Sequence, residues 1–318
     1  MNKVLGHEHV QSTFSEAMQQ NRLHHAWLFY GVKGIGKASV AEQMAALFLC
    51  ESPDLTQNKA CGQCHHCAML HVGSHPDFSK VSLLYDQKKK KFNRDINISQ
   101  TREALGFLAL SGLKSKRRVL MIDDANLMNN QAANALLKGL EEPTEGSLLL
   151  IVCHDLMRLP ATIRSRCMLQ ACSPLNPKQM QQVLQMQGFD EKLLPLATEL
   201  GQGSLGRIEV LQEKSQAEIL LAWQSLVEDL SQSDIGLIQQ WLDSHVKNIP
   251  HDLIVSVVLI ASQKHAAKLT SWQQSDAVFS AMLAVAKWPK EVVMHTLRPA
   301  PALMAYLLQL RSALKTRV

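Results

Sequence analysis

The stretch GVKGIGKASV, Gly31 to Val40, constrains this chain more than any other part of its sequence. It follows the phosphate-loop pattern G-x-x-x-x-G-K-[ST] up to the last position, where Ala38 replaces the hydroxyl that ligates Mg²⁺. A short apolar run, AWLFY, enters the loop. KASVAEQMAALFLC leaves it, with Val40, Met44, Leu47 and Phe48 at helical spacing. Strand, glycine loop and helix form the setting a phosphate loop needs, which speaks against an accidental glycine-rich turn. Gly31, Gly34 and Gly36 let backbone N–H groups approach an anion, the following helix adds its dipole, and Lys37 would reach the outer phosphates. Ala38 removes a metal ligand without abolishing anion binding, so hydrolysis should suffer more than binding.

Two further apolar runs, RVLMIDD (118–124) and SLLLIVC (147–153), alternate with helical patterns such as NNQAANALLKGLEEP, which Pro143 stops. Short buried strands alternating with helices predict an α/β domain, a parallel sheet with helices on both faces. Asp123 and Asp124 end the second of these strands. Either two acids simply close a strand, or they serve the loop: the first holding Mg²⁺, the second, one methylene shorter than glutamate, orienting water badly. Beyond Cys172 only helical periodicity is evident, with Met180, Val183 and Leu184 in register, then Trp223, Leu226, Trp241 and Leu242 on apolar faces. The expected pieces are an α/β domain over 1–170, a small helical domain over 171–210 and a helical C-terminal domain over 211–318.

Seven cysteines make a disulfide framework unlikely in a chain of intracellular character, and four of them lie at C-x₁₀-C-x₂-C-x₂-C spacing. Cys50, Cys61, Cys64 and Cys67 suit a closed tetrahedral Zn²⁺ site, structural rather than catalytic. His65, His66 and His71 are near enough to replace one of them. Four free thiols clustered by chance are the alternative. Zinc in such a setting is worth roughly 10–16 kcal/mol in isolated finger peptides, enough to hold a small loop module.

The N-terminal MNKVLGHEHV has no apolar h-region and no run is long enough to span a membrane, so a cytoplasmic protein is expected. The net charge of +5 is too mild to argue for nucleic acid. The run Lys88 to Lys91 could touch DNA phosphates, but is read as a solvated loop. No nucleophile–base arrangement is evident.

Taken together, GVKGIGKA, CGQCHHC, VLMIDDA, NALLKGLEEP and TIRSRC resemble, in that order, the clamp-loader subunits of bacterial DNA polymerase III, in the AAA+ ATPase class. The resemblance covers about the first 210 residues and implies an AAA+ domain with an inserted zinc module, a helical lid and a C-terminal oligomerising collar. It implies Gly31, Gly34, Gly36, Lys37, Asp123 and Asp124 as a degenerate nucleotide site. Lys37 and the glycines permit ATP or ADP there, while Ala38 weakens it.

Several departures point to the family's non-hydrolysing branch. Ala38 stands for Ser or Thr, Asp124 for Glu, Cys153 or His154 for a sensor threonine, and Gly206 precedes Arg207 where the second sensor arginine belongs. Arg166 of Ser-Arg-Cys is retained, and the resemblance makes it an arginine finger supplied in trans to a neighbouring subunit's ATP. Such fingers contribute on the order of 10³–10⁵ in rate. The implied partners are the motor subunits (gamma/tau) and the delta subunit in a hetero-pentameric ring, with the sliding clamp and primer–template DNA reached through the complex. Catalysis of DNA synthesis would belong to the nucleotidyltransferase complex, not to this chain. The alternatives are a gamma/tau-type motor that hydrolyses ATP itself, or an autonomous zinc-containing DNA-binding protein.

Overall fold

The computed structural model describes residues 4–87, 90–110, 117–267, 269 and 272–315, and resolves into two compact units, 1–179 and 180–318. The first unit is built on a five-stranded parallel sheet in the order β2-β5-β6-β1-β7, as the alternating pattern predicts. Its strands are β1 (Ala26–Tyr30), β2 (Phe78–Val81), β5 (Arg118–Asp123), β6 (Ser147–Cys153) and β7 (Met168–Ala171). The helices are α1 (Glu8–Gln19), α2 (Lys37–Leu49), α3 (His65–His71), α4 (Ile98–Ala109), α5 (Asn130–Glu141) and the single turn α6 (Ala161–Arg164). A two-stranded antiparallel hairpin, β3 (Tyr85–Asp86) and β4 (Lys91–Phe92), stands apart from the main sheet.

The central strands are apolar on both faces because both faces are covered. Trp27, Phe29, Met121 and Leu150 share one core with Phe14 of α1 and Val40, Met44 and Leu47 of α2. Their neighbours along the same strands, Leu28, Leu120 and Ile151, share the opposite core with Ala104 of α4 and Leu136 of α5. Period-two alternation therefore sends large side chains to both sides of the sheet. Each such buried side chain stabilises the fold by roughly 1.5–3 kcal/mol, and Leu136→Ala, at 0% exposure, would cost about 2–5 kcal/mol. Local signals fix the helix ends. Asn97 caps α4 in a box with Gln100, and the Asn129 side chain accepts from Ala132 N at the start of α5.

In the second unit no strand occurs among the described residues. Helix α7 (Pro177–Met186) runs into it, followed by α8 (Leu194–Gly201), α9 (Lys214–Val227), α10 (Ile235–His245), α11 (His251–Ala266), α12 (Trp272–Met294) and α13 (Pro299–Lys315). Met180 and Leu184 are buried on α7 as their spacing predicts. Trp223 and Trp241 stack at 4.4 Å, and Trp223 Nε1 donates to the Ile254 carbonyl at 3.0 Å, so α9, α10 and α11 are pinned at one point. No helix among the described residues is long and apolar enough to cross a membrane.

Candidate functional site

All five strands of the sheet are parallel, so their C-terminal ends gather at one edge, where α/β sheets bind ligands. The register places Tyr30 beside Cys153 and Asp123 beside Val152. The glycine loop, the two aspartates and the segment after β6 thus share that edge, as the sequence reading requires. Gly31 has a φ of +146°, and a Cβ there would lie 2.2 Å from the Cys172 carbonyl oxygen. Only glycine fits. Gly36, with a φ of +91°, is the N-cap that turns the chain into α2. His7, itself 3% exposed, braces the loop with Nε2 at 2.8 Å from the Ile35 oxygen.

The loop is closed on its own lysine. Lys37 is 5% exposed and donates to the carbonyls of Gly31 at 2.8 Å and Val32 at 2.7 Å. Burial lowers its pKa, against the raising pull of Cys172, Asp124, Cys153 and Asp123. Both acids also have partners. Lys80 Nζ sits 3.2 Å from Asp123 Oδ2 and 3.0 Å from Glu42 Oε1, and these carboxylates raise its pKa in spite of burial. His154 Nδ1 lies 2.5 Å from Asp124 Oδ2, while Asp124 Oδ1 accepts from Asn126 N at 3.0 Å. Asn126 in turn accepts from the backbone of His154 and Asp155, fixing this corner.

Lys80 escaped the sequence reading. It is a single cation in the short strand FSKV, and only the parallel pairing of β2 with β5 brings it to Asp123. His154 was noticed as a changed position, but its pairing with Asp124 depends on two strand ends meeting.

Arg166 follows α6. One of its terminal nitrogens donates to the Thr162 carbonyl at 3.0 Å and the other pairs with Glu141 at 2.8 Å; its side chain is 37% exposed. Arg207, in the second unit, is engaged locally with Gln202 and Ser256.

The four cysteines converge. Cys50, Cys61, Cys64 and Cys67 place their Sγ atoms within 4.8 Å of one another, with Cys50–Cys64 at 4.0 Å, Cys61–Cys67 at 3.9 Å and Cys50–Cys67 at 3.7 Å. A tetrahedron with metal–sulfur bonds of about 2.3 Å has edges of about 3.8 Å, so the thiols could hold a metal ion with little movement. Cys50 caps the end of α2, Cys64 caps the start of α3, and the amides of Cys61 and Cys64 point at Cys50 and Cys61 sulfurs, both at 3.3 Å. Amides of Gln63 and then Cys64 pull the Cys61 thiol down to about 6, whereas burial raises Cys67 and Cys50.

Of the histidines considered as substitutes, none belongs to the metal-competent group. His65 and His71 are exposed. His66 is buried and spends Nδ1 on His75 Nε2 at 2.9 Å; His75 Nδ1 accepts the Asp77 amide at 3.0 Å. Since Nδ1 of His75 accepts, its Nε2 carries the proton donated to His66. Burial, then the neighbouring His66, lowers the His75 pKa. This chain ties α3 to the start of β2. Of the Lys88–Lys91 run, Lys88 and Lys89 lie outside the described residues; Lys90 is exposed in the turn and Lys91 begins β4.

With this geometry in hand, the sequence relatives of the chain can be placed: they are subunits of DNA polymerase III. The chain matches the family described as DNA polymerase III, delta subunit, over residues 6–176. The delta' subunit of DNA polymerase III from Pseudomonas aeruginosa is 40% identical over 148 residues, or 46% of this chain and 43% of that protein. The tau subunit from Escherichia coli is 31% identical over 182 residues, 57% of this chain and 27% of that one. The alignment thus spans less than half the length of either relative. A delta' subunit from Bacillus subtilis is 25% identical over 255 residues, covering 79% of this chain and 74% of its own. Among solved structures, a gamma subunit-related protein from Thermotoga maritima superposes with a TM-score of 0.52 at 17% identity, over 96% of this chain and 99% of that one. At that identity the likeness concerns the fold.

Proposed function

The chain belongs to the DNA polymerase III delta-subunit family, is delta-prime in kind, and from that membership we propose that it is a non-hydrolysing member of the clamp loader, helping to place the sliding clamp on primed DNA. One observation carries this reading: every charged group a motor would keep for ATP, Mg²⁺ or water is already paired within the chain. Lys37 is spent on loop carbonyls, Asp123 on Lys80 and Asp124 on His154. With Ala38 in the metal-ligand position, the loop lacks the hydroxyl that would enter a magnesium shell there, and both acids already have partners. ATP or ADP binding at Gly31, Gly34, Gly36 and Lys37 would require Lys37 to exchange its carbonyls for phosphate.

Arg166 is the group the chain offers elsewhere. Half-exposed and held by Glu141 and the Thr162 carbonyl, it acts as an arginine finger on the ATP of an adjacent subunit, where it stabilises charge on the transferring phosphoryl group. Cys50, Cys61, Cys64 and Cys67 hold a structural zinc, which anchors the loop between α2 and β2. Residues 1–170 form the AAA+ domain, 171–210 the lid and 211–318 the collar. Through the collar the chain joins gamma or tau and delta in a hetero-pentameric ring, and contributes to the polymerase holoenzyme without catalysing synthesis.

The gamma and tau relatives favour a second reading, an ATP-hydrolysing motor subunit. The two are separated by assaying the chain alone and with its partners. The proposal expects no phosphate release from ATP by the isolated chain, and co-elution with gamma and delta subunits in one complex. Steady turnover by the isolated chain, or failure to join the complex, would overturn it.

A further inference from the structure

We propose that the β3–β4 hairpin is a stacking surface for single-stranded nucleic acid. Tyr85 and Phe92 are cross-strand partners in this ladder, so their side chains share one face. Their rings meet edge to face, centroids 5.3 Å apart, yet Tyr85 is 53% and Phe92 62% exposed. Leu84, just before the hairpin, is 53% exposed. None of the three joins either core of the sheet domain. Two aromatic rings held open to solvent on so short a hairpin give the fold little burial in return.

The charge around them selects the occupant. Lys90 and Arg94, each two residues from Phe92, are exposed, as is Lys91 on the other face of the ladder. Of the nearby acids, Asp86 is half-buried opposite Lys91, and Asp95 accepts from Asn129 Nδ2 at 3.4 Å. A basic rim around open aromatic faces matches a strand whose phosphates meet the lysines while its unpaired bases stack on the rings. Duplex DNA keeps its bases stacked on each other and would engage only the rim. An apolar protein segment would find the rings, but the cations along the hairpin would give it no advantage.

The test uses the full chain and a fluorescent dT oligonucleotide, followed by anisotropy across salt, with a duplex of equal length as control. The expected result is salt-dependent binding of the single strand in clear preference to the duplex. Tyr85→Ala with Phe92→Ala should weaken it at least about ten-fold, as loss of base stacking implies. Lys90→Gln with Lys91→Gln should flatten the salt dependence by about 0.7 per lysine in log–log slope. Circular dichroism matching the parent chain confirms that these surface changes leave the fold intact. Absence of strand binding, equal binding of duplex, or variants that bind as the parent does would each overturn the proposal. None of these outcomes bears on assembly of the ring, which is scored separately by co-elution.

Discussion

On the proposed reading, the nucleotide site around Lys37 is silenced by more than the residue it most visibly lacks. Ala38 alone accounts for one absent metal ligand. Lys80 and His154 account for the acids: the Asp123 carboxylate has an ammonium 3.2 Å away to answer its charge, and an imidazole nitrogen 2.5 Å from Asp124 Oδ2 occupies the space a metal would take. Ala38→Thr should therefore leave phosphate release by the isolated chain at background. Turnover restored by that one change would show that the alanine alone silences the site and that the paired acids are incidental. A second prediction rests on Cys61. In the metal-free chain its thiol, pulled down to about 6 by the amides of Gln63 and Cys64, is ionised at neutral pH. Burial pushes Cys153 and Cys167 up to about 12 and Cys172 up to about 11. Iodoacetamide labelling read by mass spectrometry should select Cys61, with half-maximal rate near pH 6, and bound zinc should protect it. Labelling that rises only towards pH 9, the ordinary thiol value, would contradict the hydrogen-bonded geometry.

At the scale of elements, the module between α2 and β2 is held at two points, the cysteine cluster and the buried His66–His75 pair. The first was legible in the sequence, because C-x₂-C-x₂-C at this spacing has few other uses. The second was not. The two histidines are nine residues apart, and what joins them is the return of the chain after α3 towards the segment that leads into β2. Their pairing carries a pH dependence with a definite sign. His75 stays neutral in the folded chain, since burial lowers its pKa below the ordinary 6.5. Below that pH the unfolded chain takes up a proton that the folded chain refuses, so stability falls as the solution is acidified through the window beneath 6.5. His75→Asn can keep the bond to the Asp77 amide but cannot titrate. It should reduce Tm at neutral pH while flattening the decline on acidification, as followed by thermal melts. An unchanged slope would remove His75 from the account. The same limit applied elsewhere: AWLFY, RVLMIDD and SLLLIVC were readable as strands because each contains an uninterrupted run of apolar residues, whereas FSKV and MLQA, at the sheet edges, carry no such run and take their place from the neighbours they pair with.

For the whole molecule, the division of labour follows from what is buried and what is offered outward. The sheet domain spends its loop lysine and both aspartates internally, while Arg166 sits partly exposed just after a short helical turn anchored by Ile163 in the core. The change from α/β to all-helical character was visible in the sequence, but the roles of the helices after residue 180 were not. Apolar periodicity marks Trp223 and Trp241 as buried without saying which partner a helix surface meets. The central claim is that this chain completes its neighbour's active site rather than its own. It is tested most directly by DNA- and clamp-stimulated ATP hydrolysis in a ring reconstituted from gamma or tau, delta and this chain, comparing Arg166 with Arg166→Ala after assembly is shown to be equal. The side chain makes only exposed contacts, so its removal should leave folding within about 0.5 kcal/mol. The account predicts a large fall in turnover at the adjoining site, on the order of 10³-fold or more where that site can be isolated. Turnover unchanged by the substitution would contradict it and leave the chain a structural member of the ring.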